Sequence, residues 1–309
     1  MLRLPKIYLP KSRLARLEAR DGLLFILPWA IGYLLFRLGP LLYSLYLSFT
    51  DFSGSGAPKL IGLQNYVYMF TRDPRFIDSV RSTFLFVLGF LPLNLIVGLA
   101  VALLMNQRVR GILAFRAVYY LPSVTSGVGV ALLWQFIFHK QWGILNAILA
   151  IFGVNNIGWL VDPKWVMVAF VIMSLWGVGG SMIIYLSGLQ SIPTELYESA
   201  AIDGASTPRQ FWHITLPMLS PTIFFNLVTG LIGAFQIFES AYVMTGGGPR
   251  YATYFFGLNI YFTAFRSLRF GYASTLAWIL FAIIVALTIF VFSTSRRWVF
   301  YAGARDEEA

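Results

Sequence analysis

Six stretches of the chain are apolar for about the 20 residues that a helix needs to cross a bilayer. They cover residues 22–49, 80–105, 115–138, 166–188, 220–241 and 271–293. The last is the cleanest, with no charge from Leu276 to Phe292. Lipid offers no partner for backbone polar groups, so apolar spans of this length fold as helices. The pattern predicts an all-α, polytopic membrane protein with six transmembrane helices. Around them it places a tail at 1–21, a first helix with its outer loop at 22–79, a five-helix core at 80–295 and a second tail at 296–309. The first span contains Arg37 and Pro40. Arg37 lies roughly 22 Å along that helix, from where its guanidinium can snorkel to the outer interface. A charge lining a pathway is the alternative.

Composition strengthens this reading. Of 309 residues, 58% are hydrophobic and only 12% charged, about half the charged share of a soluble domain. Trp29, Tyr33, Trp142, Trp165 and Trp298 flank the apolar stretches, where amphipathic rings favour the headgroup layer. There is no cysteine, and the two histidines, His139 and His213, lie in different segments. A disulfide framework is excluded, and a zinc site is not expected. No cofactor is expected either.

The net charge is +10. Much of it sits ahead of the first span, in Arg3, Lys6, Lys11, Arg13, Arg16 and Arg20. That suits an anionic cytoplasmic leaflet better than nucleic acid. The following apolar run is too long for a signal peptide and reads as an uncleaved helix. Arg108, Arg110 and Arg116, and Arg296, Arg297 and Arg305, add to the same side. Both termini are therefore expected in the cytoplasm. The bias is not clean, because Lys59, Arg72, Arg75, Lys140, Lys164, Arg250, Arg266 and Arg269 then fall outside.

Residues 189–219 form a long polar loop on the cytoplasmic side of this arrangement. Pro193 suits a first helical turn, and the acids after it suit the helix dipole. Gly204 ends this helix in the left-handed position. A second helix follows, with Thr207 as cap, Pro208 at its first position and Gln210 completing a capping box. Leu216-Pro217 breaks the pattern ahead of the fifth span. Leu196, Tyr197, Phe211 and Trp212 give the lobe apolar and aromatic groups. Docking to a partner and lying on the membrane surface explain them equally well.

The same segment resembles the EAA loop of ABC-importer permeases. That pattern appears as Glu198-Ser199-Ala200, then Gly204, then Ile214-Thr215-Leu216-Pro217, with spacing intact and Ser199 replacing the first alanine. Ile61-Gly62-Leu63-Gln64-Asn65-Tyr66, Thr245-Gly246-Gly247-Gly248-Pro249 and Phe270-Gly271-Tyr272-Ala273 resemble loops of the sugar-class permeases, of the maltose, glycerol-phosphate and multiple-sugar type. The resemblance implies a type I importer permease in the bacterial inner membrane. It implies a second permease, cytoplasmic ATPase subunits, an extracytoplasmic binding protein and a sugar-type solute. It further implies that Glu198, Ser199, Ala200, Asp203, Gly204, Ile214, Leu216 and Pro217 couple to the ATPase. The chain has no Gly-x-x-x-x-Gly-Lys-Ser/Thr phosphate loop, so ATP hydrolysis is expected in the partner.

Sugar sites pair aromatic platforms with groups that read hydroxyls, and polar residues inside a membrane face cavities. Trp176, Gly177 and Gly180 in the fourth span, and Phe235, Gln236 and Glu239 in the fifth, are the candidates, with Gln236 first. Close helix packing explains the glycines as well. A membrane enzyme would need paired carboxylates or a nucleophile elbow, which no span carries. A standalone secondary transporter would show an internal repeat and coupling carboxylates. A permease for a polyamine or phosphate is the nearer rival.

Overall fold

The computed structural model describes residues 12–107, 109–154 and 156–300. Arg3, Lys6, Lys11, Arg108 and Arg305 lie outside the described residues. All the elements named among the described residues are helical, and one antiparallel bridge joins Thr50 to Leu60.

The first span is α1 (Arg13–Tyr33), a π turn (Leu34–Leu38) and α2 (Gly39–Ser48) in sequence. The π turn answers Pro40, which has no N–H to give the carbonyl four residues back. The register widens, and the Gly39 N–H bonds to the Leu34 carbonyl instead. Arg37 is exposed within this turn, on the outside of the bundle. α2 packs against the last helix, whereas the most apolar window of this span is buried nowhere in the chain.

A short loop and α3 (Gln64–Arg72) lead to α4 (Pro74–Met105). The Asp73 carboxylate caps α4 by accepting from the Arg75 N–H at 2.9 Å, and Pro74 occupies the first turn. α4 is the central post. It packs against α8 (Pro163–Leu175), α9 (Gly179–Gln190) and α13 (Ser220–Phe235).

Two of the expected spans are sharply bent, and a third is interrupted while keeping its course. Residues 115–138 are not one rod: α5 (Ile112–Val124) and α6 (Gly127–Ile137) meet at 99°. Thr125 and Ser126 are extended there, beyond Pro122 in the last turn of α5. α8 and α9 meet at 48° across Trp176–Val178. Gly179 lets this junction approach α5 closely, because the Tyr119 carbonyl occupies the place of a side chain. The fifth span stops at Phe235 and resumes as α14 (Glu239–Met244). The sixth is one helix, α16 (Phe270–Ser295). The described helices give four continuous spans and two bent pairs, consistent with six crossings.

Between the spans, the loop at 139–165 carries α7 (Ile144–Ile151), and the loop at 242–270 carries α15 (Phe256–Tyr261). At the other end of the bundle stand α10 (Thr194–Ile202) and α11 (Thr207–Gln210). That is the lobe end. A π turn (Phe211–Thr215) and α12 (Leu216–Met218) join α11 to α13. Pro217 therefore does not break the chain as expected. The Leu216 N–H reaches back to the Phe211 carbonyl, the same accommodation seen at Pro40.

Two apolar clusters fill the bundle. One, at the opposite end and middle, centres on Phe86, Phe170, Phe235, Phe255 and Leu276. The other, at the lobe end, contains Met105, Met182, Tyr185, Leu189 and Leu219. Among the described residues, the buried polar side chains are paired except for the Trp134 indole N–H and the Thr288 hydroxyl, as a span in lipid favours. The Thr83 hydroxyl accepts from the Phe256 N–H at 2.9 Å, and the Asn259 amide donates to the Ser79 hydroxyl at 3.3 Å. The loop motifs serve the same end. The buried Asn65 amide donates to the carbonyls of Ser48 and Thr50, at 3.1 and 2.8 Å, and so fixes the first loop onto α2.

Candidate functional site

The lobe begins where α9 ends. Its helix α10 closes with the two bonds of a Schellman turn: Ala205 N–H to the Ala200 carbonyl at 2.8 Å, and Gly204 N–H to the Ala201 carbonyl at 3.0 Å. Gly204 sits at φ +75°, as the left-handed position requires. The next helix starts one residue earlier than expected. Ser206 holds the cap position, Thr207 lies inside the helix, and no side chain bonds as a cap. The Gln210 amide donates to the Ala205 carbonyl at 3.1 Å, so it ties the two lobe helices together and forms no capping box.

The root of the lobe is buried and its tip is bare. Tyr197, Ile214 and Met218 pack onto the lobe-end cluster, and the hydroxyls of Tyr197 and Thr215 bond at 2.9 Å. Leu216 and Pro217 are half-buried at this root. Glu198, Ser199, Asp203 and Gly204 are exposed, and Ala200 is half-buried behind them. Leu196, Trp212 and above all Ile202, 88% exposed, leave apolar side chains uncovered on the lobe that carries these acids. Ile202 escaped the motif reading. Its signal is an isoleucine in the last turn of a polar helix, where nothing follows to cover it.

The second feature is an open cleft of about 490 Å³ in the side of the bundle. Pro122, Ser123, Thr125 and Gly127 come from the α5–α6 break, Trp176 and Gly177 from the α8–α9 break, and Gln236 to Ser240 from the α13–α14 break. All three helix breaks open onto one cavity. Irregular backbone at membrane depth persists only against protein or a water-filled cavity, so the convergence marks this cleft as a face that lipid does not cover. Glu239 is the one charged side chain in its lining. Its carboxylate lies directly against Gly127, in the space a side chain there would fill.

Four of the six pathway candidates line this cleft: Trp176, Gly177, Gln236 and Glu239. Phe235 does not. It is buried edge-on against Phe84 at 5.2 Å, as core packing. Gly180 also lies off the lining, with Ser123 3.9 Å from where its Cβ would be. Trp134 is an addition. It meets Trp176 edge-on at 5.9 Å, and its buried indole N–H has no hydrogen-bond partner among the described residues.

Residues 94–300 match the family model of the binding-protein-dependent transport system inner membrane component. The chain belongs to this family. The probable ABC transporter permease YesP of Bacillus subtilis is 40% identical over 96% of this chain and 97% of its own length. The multiple sugar-binding transport system permease MsmF of Streptococcus mutans is 31% identical, over 89% and 95%. The trehalose/maltose permease MalF of Thermococcus litoralis is 33% identical, over 92% and 97%. A chain of a bacterial ABC transporter that imports the acidic polysaccharide alginate superposes with a TM-score of 0.81. It is 26% identical and covers 93% of this chain and 99% of its own. As an inner membrane component, this permease places its helices across the bilayer, with the lobe at one face and the cleft within.

Proposed function

We propose that the chain is one of two permease subunits of an ATP-driven importer for a sugar or related solute. One observation carries this. The lobe hangs between α9 and α13, and those same helices end, at their other ends, in two of the breaks that line the cleft. A force on the lobe therefore acts along two rigid rods onto the walls of the cavity. The exposed apolar side chains of the lobe, Leu196, Ile202 and Trp212, with Glu198 and Asp203, suit docking to a cytoplasmic ATPase. Apolar side chains accompanied by acids match the usual make-up of a docking surface.

The 80–295 core carries the path, and its lobe faces the cytoplasm together with both termini. Trp176 supplies an aromatic platform, while Gln236 and Glu239 read hydroxyls. The sugar names of MsmF and MalF and the alginate cargo of the solved importer support this class. A periplasmic binding protein, present with the alginate importer in a second solved complex, delivers the solute here too.

The test is to purify the tagged chain in mild detergent from its native membrane, then to reconstitute what co-purifies. The expected result is a second permease, an ATPase and ATP-dependent uptake of a sugar-type solute. The chain recovered alone, under conditions that hold other importers together, removes the reading.

A further inference from the structure

The lobe-distal face carries more positive charge than the charge bias of membrane proteins favours. Part of it is concentrated. Three guanidinium groups, from Arg75, Arg250 and Arg266, line a single cavity of about 590 Å³ beside the Thr245–Gly248 loop. Guanidinium groups stay charged at any ordinary pH, so three around one cavity repel one another. Arg75 alone has an acid partner, Asp78 at 3.0 Å. Arg250 and Arg266 are exposed, and neither forms an ion pair among the described residues.

The basin is built rather than accidental. The Arg75 guanidinium stacks 3.4 Å from the ring centre of Tyr251, and that of Arg266 stacks 3.9 Å from the ring centre of Phe262. Stacking holds the two planar forks in place. The Thr253 hydroxyl donates to the Gly248 carbonyl at 2.6 Å and bonds the Thr245 hydroxyl at 2.7 Å, which pins the glycine loop. A Cβ at Gly247 would come within 2.7 Å of the Tyr254 ring. Arg250 and Tyr251 are held at φ +47° and +62°, a strained backbone that turns Arg250 toward the cavity rim. Burial, the leading cause, raises the pKa of the Tyr254 hydroxyl, so it stays neutral in the wall.

Such a site takes an anion, and carboxylates suit guanidinium forks. An anionic solute is disfavoured, because its onward path leads to the cleft, where Glu239 would repel it. A lipid is disfavoured too, since no aliphatic side chain lines the basin. We infer that the Arg75–Arg250–Arg266 basin is the docking point for an aspartate or glutamate side chain of the extracytoplasmic binding protein. The inference rests on the importer reading and names the residues by which that partner is held.

The test uses the whole assembled importer in nanodiscs and its solute-loaded binding protein, with affinity measured across a salt series. Arg250→Gln with Arg266→Gln should raise Kd by about tenfold or more and flatten its salt dependence. Arg250→Lys with Arg266→Lys, which keeps the charge but not the fork, should fall between. Gel filtration checks assembly, and Arg250→Gln alone, on a surface loop, should show a smaller loss in the same direction. A Kd within about twofold of wild type in the Gln pair, with the same salt slope, overturns the site. Normal docking with lost uptake would place the anion on the solute and also overturns it. A wild-type complex that binds no binding protein at any salt sinks the importer reading itself, which the variants alone cannot do.

Discussion

At Gly204 the requirement is one of backbone conformation. Nothing lies within 4 Å of where its Cβ would be, yet φ is +75°. Any L side chain there costs about 1–2 kcal/mol of left-handed strain. Gly204→Arg adds a positive charge beside Asp203. It should abolish uptake while the chain still inserts, checked by transport and by membrane fractionation. Uptake near the wild-type rate would remove the coupling role. In the cleft, Gln236→Leu deletes hydrogen bonds that an exposed amide can offer a hydroxyl. At equal expression it should weaken apparent solute affinity by about three- to tenfold, and an unchanged affinity would strike Gln236 from the path. Gly127→Val should displace the Glu239 carboxylate, which occupies the space of the new side chain, and so depress uptake without unfolding the bundle. Gln236 and Glu239 stood out in the sequence because an amide and a carboxylate are rare within apolar spans, and Gly204 because it closes a polar helix just before a second helix start. Phe235 was not, since a buried phenylalanine and a sugar platform look alike until packing separates them. Trp134 was missed for the complementary reason: its significance is an unpartnered N–H, which only geometry reveals.

Helices were legible where side-chain hydropathy decides and obscure where backbone direction decides. The six apolar stretches follow from the transfer cost of side chains. The 99° turn between α5 and α6 does not, because Thr125-Ser126-Gly127 is short and uncharged and barely lowers the local hydropathy. A proline misled in the opposite sense. Pro217 reads as a break, yet like Pro40 it is absorbed by a π turn that shifts the hydrogen-bond register by one residue. The lobe shows how such a turn is used. Its π segment presents Thr215 to Tyr197, and their hydroxyl bond at 2.9 Å joins α10 to the root of α13. Tyr197→Phe should leave α10 folded but loosen its footing by about 0.5–1.5 kcal/mol. Hydrogen exchange should then rise in α10 and the 211–215 turn while α4 stays protected. Unchanged exchange in both would mean that the apolar root alone holds the lobe.

The whole molecule joins two features that its elements do not explain separately. α1 and the π turn after it bury none of their most apolar window against the rest of the chain, so this helix is left for lipid or for a second permease. The remaining helices link the lobe to the cleft through α9 and α13, both continuous from the lobe's root to a break in the cavity wall. Packed helices move as rigid bodies more readily than they bend, so a shift of the lobe should reposition Trp176 and Gln236 together. The absence of cysteine makes this measurable without prior substitutions. Ser123→Cys with Ser240→Cys places one spin label on the α5–α6 break and one on the α13–α14 break, both lining the cleft. In the assembled importer, trapping the ATPase in its closed state should shift the inter-label distance by several ångströms, and Gly204→Arg in the same background should abolish the shift. A distance distribution that ignores ATP while the ATPase still closes would show that the lobe docks without moving the cleft. The rods would then be scaffolding, and gating would have to come from relative motion of the two permeases.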